Sequence, residues 1–503
     1  MSWFANKQKP GHTALPQAKH AVHKESRKVN PADQKQPFVH PIHMKAQSRL
    51  AHQQVKSRSA TPKGSKPASP LLAPSPKEKP LAGRKRPSST PPRQDWGDDD
   101  EGSDLDLDAE DTRKRQKRES TIEADPGRTI WSPTAFSSQD DGKFAMIHGA
   151  DLARCPKVGN AEYTLAFPSF EDFKIVELQY PSASQKERYE LVMPNLDDDF
   201  KPLVEIREVM EMTIAHYLPP AEAKKLGDDS HGLPRNLKRA AKELDGKKFG
   251  THVQTWNETL NRLRNDGTLQ SRIKEWRTVD VGLCEFILTQ TYARTVSLGV
   301  KDLRKYETGG NNVYGELLPR FVSEILTRDV KIKADQLFVD LGSGVGNVVL
   351  QAALEVGCES WGCEEVPSAC KLADKQKTEF EARCRLWGLS AGAIHLEQGD
   401  FLTNSVIHKA LQKADVVLVN NQAFTPDLND KLTHLFLDLK DGAKVVSLKS
   451  FAPVGHQQHA RNAGAIYNIL DVLEKRYYDR SVSWTNASGT YYVATKDSSR
   501  MNG

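Results

Sequence analysis

Leu337-Phe-Val-Asp-Leu-Gly-Ser-Gly-Val-Gly-Asn347 is the stretch on which the fold turns. Its first five residues are a short apolar run broken by one acid, the pattern of a strand buried on both faces. Val348-Val-Leu-Gln-Ala-Ala-Leu-Glu-Val356 follows with helical character. Between the two lie three glycines at alternate positions. Glycine adopts positive φ and lets a ligand come close to the backbone. A strand, a glycine loop and a helix open a parallel α/β sheet, whose ligands lie beyond the carboxyl ends of the strands.

Downstream of this unit the alternation continues. Ser360-Trp-Gly-Cys-Glu364 reads as a second strand, followed by a long helix through about Trp387. Ala393-Ile-His-Leu-Glu397, Asp415-Val-Val-Leu-Val419 and Ala443-Lys-Val-Val-Ser-Leu448 read as further strands, with a helix over 428–439. Strand–helix alternation predicts right-handed crossovers. Val482-Ser-Trp-Thr485, then Ala487-Ser-Gly489, then Thr490-Tyr-Tyr-Val-Ala-Thr495 reads as a β-hairpin. A terminal antiparallel hairpin on a parallel sheet is the arrangement of seven-stranded methyltransferases.

The glycine loop discriminates between cofactors. Dinucleotide folds want G-x-G-x-x-G, so that pyrophosphate meets a helix N-terminus. Here the pattern is G-x-G-x-G, and Asn347 stands at the expected third glycine. Asp340 at the strand end would repel pyrophosphate but attract an ammonium group. S-adenosylmethionine carries an ammonium group, a sulfonium and no phosphate, and matches better. A tight turn with no ligand is the plain alternative. Glu364, 24 residues after Asp340, stands where an acid accepts ribose hydroxyl protons. Asp400 can accept the adenine amino proton while Phe401 packs on the base. Exposed strand-end acids are the alternative for both.

Strand four runs out in Val419-Asn-Asn-Gln-Ala-Phe-Thr-Pro426, the position that faces a sulfonium methyl group. Methylating a lysine requires loss of its proton, whose pKa is about 10.4 in water. Desolvation lowers that value, and an amide orients a neutral amine without trapping it as an ion pair. Asn420 and Phe424 suit such a channel, with Tyr491 or Tyr492 as a further wall. Simple turn capping for the asparagines and core packing for the rings remain open.

Upstream, residues 1–94 carry 19 Lys/Arg against three acids and half of the 28 prolines, whereas residues 95–111 carry ten acids and no base. The remainder is near neutral. The first segment cannot bury enough apolar area to offset its backbone entropy, so 1–146 reads as a disordered basic arm. Arg84-Lys-Arg86 and Arg113-Lys-Arg-Gln-Lys-Arg118 suit nuclear import or contact with nucleic-acid phosphate. Order is expected from about Ile147, with a few strands over 161–194 and helices over 201–300; 147–312 reads as a mostly helical subdomain and 313–499 as the main domain. No apolar run spans a membrane. The six cysteines form no disulfide framework, and Cys358, Cys363 and Cys370 lack zinc spacing.

Val313-Tyr-Gly-Glu316, Phe338-Val-Asp-Leu-Gly-Ser-Gly-Val-Gly-Asn347, Gly399-Asp-Phe-Leu402, Val419-Asn-Asn421 and Val482-Ser-Trp-Thr485, in that order, resemble the Dot-one (disruptor of telomeric silencing) histone methyltransferases, and the basic arm resembles the fungal members. The resemblance implies a class I, Rossmann-like methyltransferase fold and methylation of lysine 79 of histone H3 in nucleosomes. It implies S-adenosyl-L-methionine bound by Tyr314, Gly315, Glu316 and Leu317, by Phe338, Val339, Asp340, Leu341, Gly342, Ser343, Gly344, Val345, Gly346 and Asn347, and by Glu364, Asp400 and Phe401. It places Asn420 beside the lysine amine and Phe424 beside the methyl group. It also implies a nuclear location, roles in telomeric silencing, chromatin regulation and the DNA-damage response, and a link to ubiquitinated histone H2B. Gln422 departs from the family pattern Asn-Asn-Phe-Ala-Phe. Two rival readings are a nucleic-acid amino methyltransferase, which the lack of proline at 421 and 422 argues against, and a silent chromatin scaffold.

Overall fold

A computed structural model describes residues 125, 128–137, 144–155, 162–169, 174–182, 185–196, 199–299, 303, 315–453, 461–462 and 464–501. The basic arm to residue 94, both basic clusters and the acid run lie outside the described residues. So does Tyr314.

Two small antiparallel pairs come first in the chain. β1 (Tyr163–Leu165) pairs with β4 (Val192–Pro194), and β2 (Ile175–Leu178) with β3 (Glu187–Glu190). Then come helices α1 (Pro202–His216), α2 (Pro220–Leu226), α3 (Leu233–Lys242), α4 (Gly246–Asn265), α5 (Thr268–Lys274) and α6 (Val281–Arg294). Ile206, Val209, Met210, Leu283 and Ile287 are buried, as their helical spacing predicts. The Asp280 carboxylate caps α6, accepting from the Gly282 and Leu283 N–H groups at 2.8 and 3.2 Å.

A seven-stranded sheet carries the later part of the chain. Its strands are β5 (Leu337–Leu341), β6 (Glu359–Glu364), β7 (Ile394–Gln398), β8 (Val416–Val419), β9 (Lys444–Ser447), β10 (Leu470–Tyr477) and β11 (Gly489–Lys496), in spatial order β10-β11-β9-β8-β5-β6-β7. The strands β5 to β9 are parallel, and β11 runs antiparallel between β9 and β10. β5 and β8 are neighbours although β6 and β7 lie between them in sequence, so the crossover reverses here and opens a crevice at their carboxyl ends.

The helical region and the sheet share one hydrophobic cluster, which joins Ile206, Trp256 and Leu283 to Val349, Phe380 and Trp387. Helix α7 (Pro367–Trp387) ties the two together. Its last residue, Trp387, is fully buried and donates from its indole to Gln290 Oε1 at 3.1 Å. Beside it lies a buried ionic network. Arg294 reaches Glu187 at 2.6 Å and Glu205 at 2.9 Å, and Arg383 bonds Glu187 and, at 2.7 Å, Glu379. Burial alone would raise the Glu187 pKa, but the two guanidinium groups hold it well below the usual carboxylate range.

Two expectations are corrected here. Packed structure starts before Ile147: Ile130 is in the main cluster, Trp131 bridges to Leu389, and Arg128 bonds the Leu354 and Glu355 carbonyls. Single apolar residues in a polar context carry no periodicity, so sequence gives no warning of them. The first strand of the final hairpin is Leu470–Tyr477 rather than 482–485. β10 lies at the sheet edge, where its charged residues face solvent and mask the alternation. Val482 forms only isolated bridges, one of them to Leu317.

Candidate active site

The crevice is built at the ends of β5, β6, β7 and β8. β5 leads into a loop in which Gly342, Gly344 and Gly346 have φ of 84°, 56° and 87°. An L side chain is strained in that region, so three glycines let the chain turn back on itself and leave no side chain between its backbone and a ligand. The Gly342 and Ser343 N–H groups donate to the Cys363 carbonyl at 2.9 and 3.1 Å, pinning the loop to β6. The Gly344 N–H donates to Glu364 Oε2 at 2.9 Å, and the Val366 N–H to Oε1 at 2.8 Å. Gln376, buried on α7, donates to the Val345 carbonyl and to Asn347 Oδ1, both at 2.8 Å.

The loop residues divide by direction. Phe338, Val339, Leu341 and Val345 are core side chains. Asn347 is turned toward α7, and the Ser343 hydroxyl packs against β6, 2.7 Å from where a Cβ on Gly362 would lie. These residues can meet a ligand through their backbone only. Asp340 and Glu364 are the acids left at the crevice.

Asp340 is 3 % exposed, and no cation or hydrogen-bond donor reaches it among the described residues. Burial, with Glu364 adding repulsion, pushes its pKa up to about 8. Burial also raises Glu364, against the N–H bonds that favour its charged form. A buried acid pair without a counter-charge fits a cationic ligand, and an ammonium group would restore ionisation. It does not fit a phosphate.

A second wall comes from the chain before the sheet. The Glu316 N–H donates to Ser483 Oγ, the Ser483 N–H returns to the Glu316 carbonyl, and the Leu318 N–H reaches the Ser481 carbonyl, each at 2.9 Å. Leu317 is buried behind them. The Val482-Ser-Trp-Thr485 segment therefore acts as a clamp on the 315–318 strip. Ser483 was legible as part of a motif but not in this role, because the pairing joins residues far apart in sequence.

Asn420 closes the gap between the two walls. Its Nδ2 donates to the Gly315 carbonyl at 2.9 Å, and its Oδ1 is buried with no partner among the described residues. An orphaned buried acceptor is rare and costly, and marks a place where a ligand donor belongs. Asn421 is the opposite case. Its Oδ1 accepts from the Leu448 and Lys449 N–H groups at 3.0 and 2.8 Å, and its Nδ2 donates to Asn429 and the Lys449 carbonyl, both at 3.0 Å. Asn421 thus locks the turn that aims Asn420. The turn ends where Thr425 caps helix α8 (Pro426–Leu435).

The aromatic residues separate. Phe424 is half-buried over the glycine loop, 3.6 Å from where a Cβ on Gly342 would lie. It stacks on Phe401, centroids 6.2 Å apart. Asp400 lies beside them, its Oδ1 accepting from the Leu402 N–H at 2.8 Å. Tyr492 is half-buried opposite Ser447, at the carboxyl end of β9. Tyr491 is not brought to this group: it is 1 % exposed, packs edge-on against Phe321, and its hydroxyl bonds Asp329. Adjacent strand residues point to opposite faces, so one of the two tyrosines had to face away. Gln422 is exposed. Cys358 and Cys363 are buried, Cys370 half-buried, and no cluster of three or more metal-ligating side chains occurs among the described residues. No helix among them is long and apolar enough to cross a membrane.

The family described as "Histone methylation protein DOT1" matches residues 292–496. A protein of Aspergillus fumigatus named "Histone-lysine N-methyltransferase, H3 lysine-79 specific" is 47% identical over 84% of this chain and 83% of its own length. Proteins of the same name from Gibberella zeae and Yarrowia lipolytica are 43% and 38% identical, over 83% and 78% of this chain and 83% and 80% of theirs. The glycine loop, the paired acids, the clamped 315–318 strip and the asparagine turn all fall within the matched segment, and with identity of this extent the chain belongs to the DOT1 family of histone methylation proteins.

Proposed function

We propose that the crevice transfers the sulfonium methyl group of S-adenosyl-L-methionine to lysine 79 of histone H3 in nucleosomes. The observation that carries this reading is the buried Asn420 Oδ1 between the glycine loop and the 315–318 strip, which has no partner among the described residues. It is an uncharged acceptor, suited to an amine N–H and unable to hold an ammonium as an ion pair. The names of the relatives supply the substrate.

The cofactor brings a methyl group already activated on a positively charged sulfur. The chain's residues do the rest. Asp340 takes the ammonium group, Glu364 the ribose hydroxyls, and Asp400 with Phe401 the adenine. The Gly315 and Glu316 backbone and the 338–347 loop frame the remainder. Phe424 and Tyr492 line the amine's approach and exclude water, which favours the neutral amine. Asn420 then orients that amine toward the methyl group. The arm before the fold adds salt-sensitive affinity for nucleosomal DNA in the nucleus, and telomeric silencing, the DNA-damage response and dependence on ubiquitinated H2B follow the family pattern.

The test is methyl transfer from radiolabelled S-adenosylmethionine to recombinant nucleosomes carrying either normal H3 or H3 with arginine at position 79. Label is expected on normal H3 alone. Label on DNA would establish the nucleic-acid reading instead, and no label on any component would establish the silent scaffold.

A further inference from the structure

Helix α3 carries Arg235, Lys238, Arg239 and Lys242 at i, i+3, i+4 and i+7, so all four share one face. All four are exposed, while Leu233, Leu237 and Ala240 on the other face are buried against α1 and α4. Lys247 and Lys248, also exposed, continue the positive surface into α4. From 233 to 248 there are six Lys/Arg and two acids. Both acids turn to one lysine: Glu243 and Asp245 lie 3.2 and 3.1 Å from Lys248. Among the described residues no salt bridge reaches Arg235, Lys238 or Lys247. Glu211 of α1 feels the Lys238 charge but pairs with Arg207 at 3.4 Å. Some surface cations elsewhere are neutralised, as Arg262 is by Glu222 at 3.0 Å and Lys431 by Asp427 at 2.8 Å.

Like charges four apart on a helix repel one another, a cost that a bound polyanion relieves. The stripe from 235 to 242 is about 10 Å long at 1.5 Å per residue. Duplex DNA presents one negative charge for about every 1.7 Å of axis, so several phosphates lie within reach. No exposed aromatic residue occurs from 233 to 248, whereas protein partners are usually held by buried aromatic anchors. Long, exposed Lys and Arg side chains without such an anchor suit a surface that reads charge and not sequence.

We infer that this face of α3, with the start of α4, docks on the phosphate backbone of nucleosomal DNA. The inference rests on the nucleosome reading above and adds to it a DNA contact made by the folded body, separate from the arm. It makes α3 a determinant of substrate affinity rather than of chemistry.

The test uses the full chain, with the arm present in both proteins. The triple variant Arg235→Gln/Lys238→Gln/Lys247→Gln removes exposed cations that hold no salt bridge, and its Tm is expected to match the parent's. Kd for a short duplex and for mononucleosomes is measured over a range of salt. Each lost phosphate contact flattens the slope of log affinity against log salt by about 0.9, so the triple variant should be shallower by about 2.7. In turnover its KM for nucleosomes should rise about tenfold or more with kcat unchanged. An unchanged slope overturns the inference. So does a variant that keeps its slope but loses affinity for isolated, DNA-free histone dimers, which would assign the stripe to an acidic protein surface. Binding is read without methyl transfer, so absence of label on H3 in the parent protein would sink the catalytic reading and leave this one to the salt slope.

Discussion

Asp340→Asn removes a charge that the ligand-free fold cannot solvate. The acid ionises near 8 in the fold and, in the unfolded chain, near 3.8. Its folded pKa is raised, so its contribution to stability is neutral below about pH 4, worsens as pH climbs, and levels off above 8. At about 1.4 kcal/mol for each pH unit, the full cost at pH 8.5 is about 5–6 kcal/mol. Relaxation and water entry reduce such penalties several-fold, and the amide keeps some desolvation cost of its own. The variant should therefore be about 2 kcal/mol more stable than the parent at pH 8.5, and nearly equal to it at pH 5. Urea unfolding of the ligand-free protein at both pH values measures this gap. Calorimetry supplies the other half: loss of a charged contact to the cofactor ammonium should weaken S-adenosylmethionine binding about 10- to 100-fold. A stability gap that does not change with pH, or cofactor affinity that matches the parent's, would refute the assignment of Asp340.

Gly344→Arg should abolish the heat of cofactor binding, because the loop turns at φ 56° and the new side chain fills its mouth; the strain should cost about 1–2 kcal/mol, so a folded variant with normal binding would contradict the loop's role. Asn421→Ala leaves the Leu448 and Lys449 N–H groups without their acceptor. It should lose about 2–3 kcal/mol in urea unfolding, and kcat should fall further than cofactor affinity because Asn420 loses its aim. Tyr491→Phe removes only the hydroxyl that bonds Asp329. It should cost about 1 kcal/mol with kcat and KM unchanged, and a fall in kcat would return Tyr491 to the amine channel.

Much of this site was readable because its parts are local. A strand, three alternate glycines and a helix are contiguous, so 337–356 announces its own geometry. Glu364, Asp400 and Asn420 could be placed because each follows a strand, and parallel strands deliver their ends to one edge. Gln376, Ser483 and Asn421 could not be given their roles. Each acts through a hydrogen bond to a segment from 27 to more than 160 residues away, and no spacing rule encodes such a contact.

The amino-acid order alone determined the parallel sheet, the cofactor class and the apolar faces of the helices, since those follow from periodicity and from backbone rules that act over a few residues. The tertiary structure alone decided that Tyr491 packs on Phe321 and Asp329, away from Phe424, that β10 and not 482–485 pairs with β11, and that Asp340 sits without a counter-charge among the described residues. Those outcomes depend on register, edge position and local desolvation, which exist only once distant segments have packed.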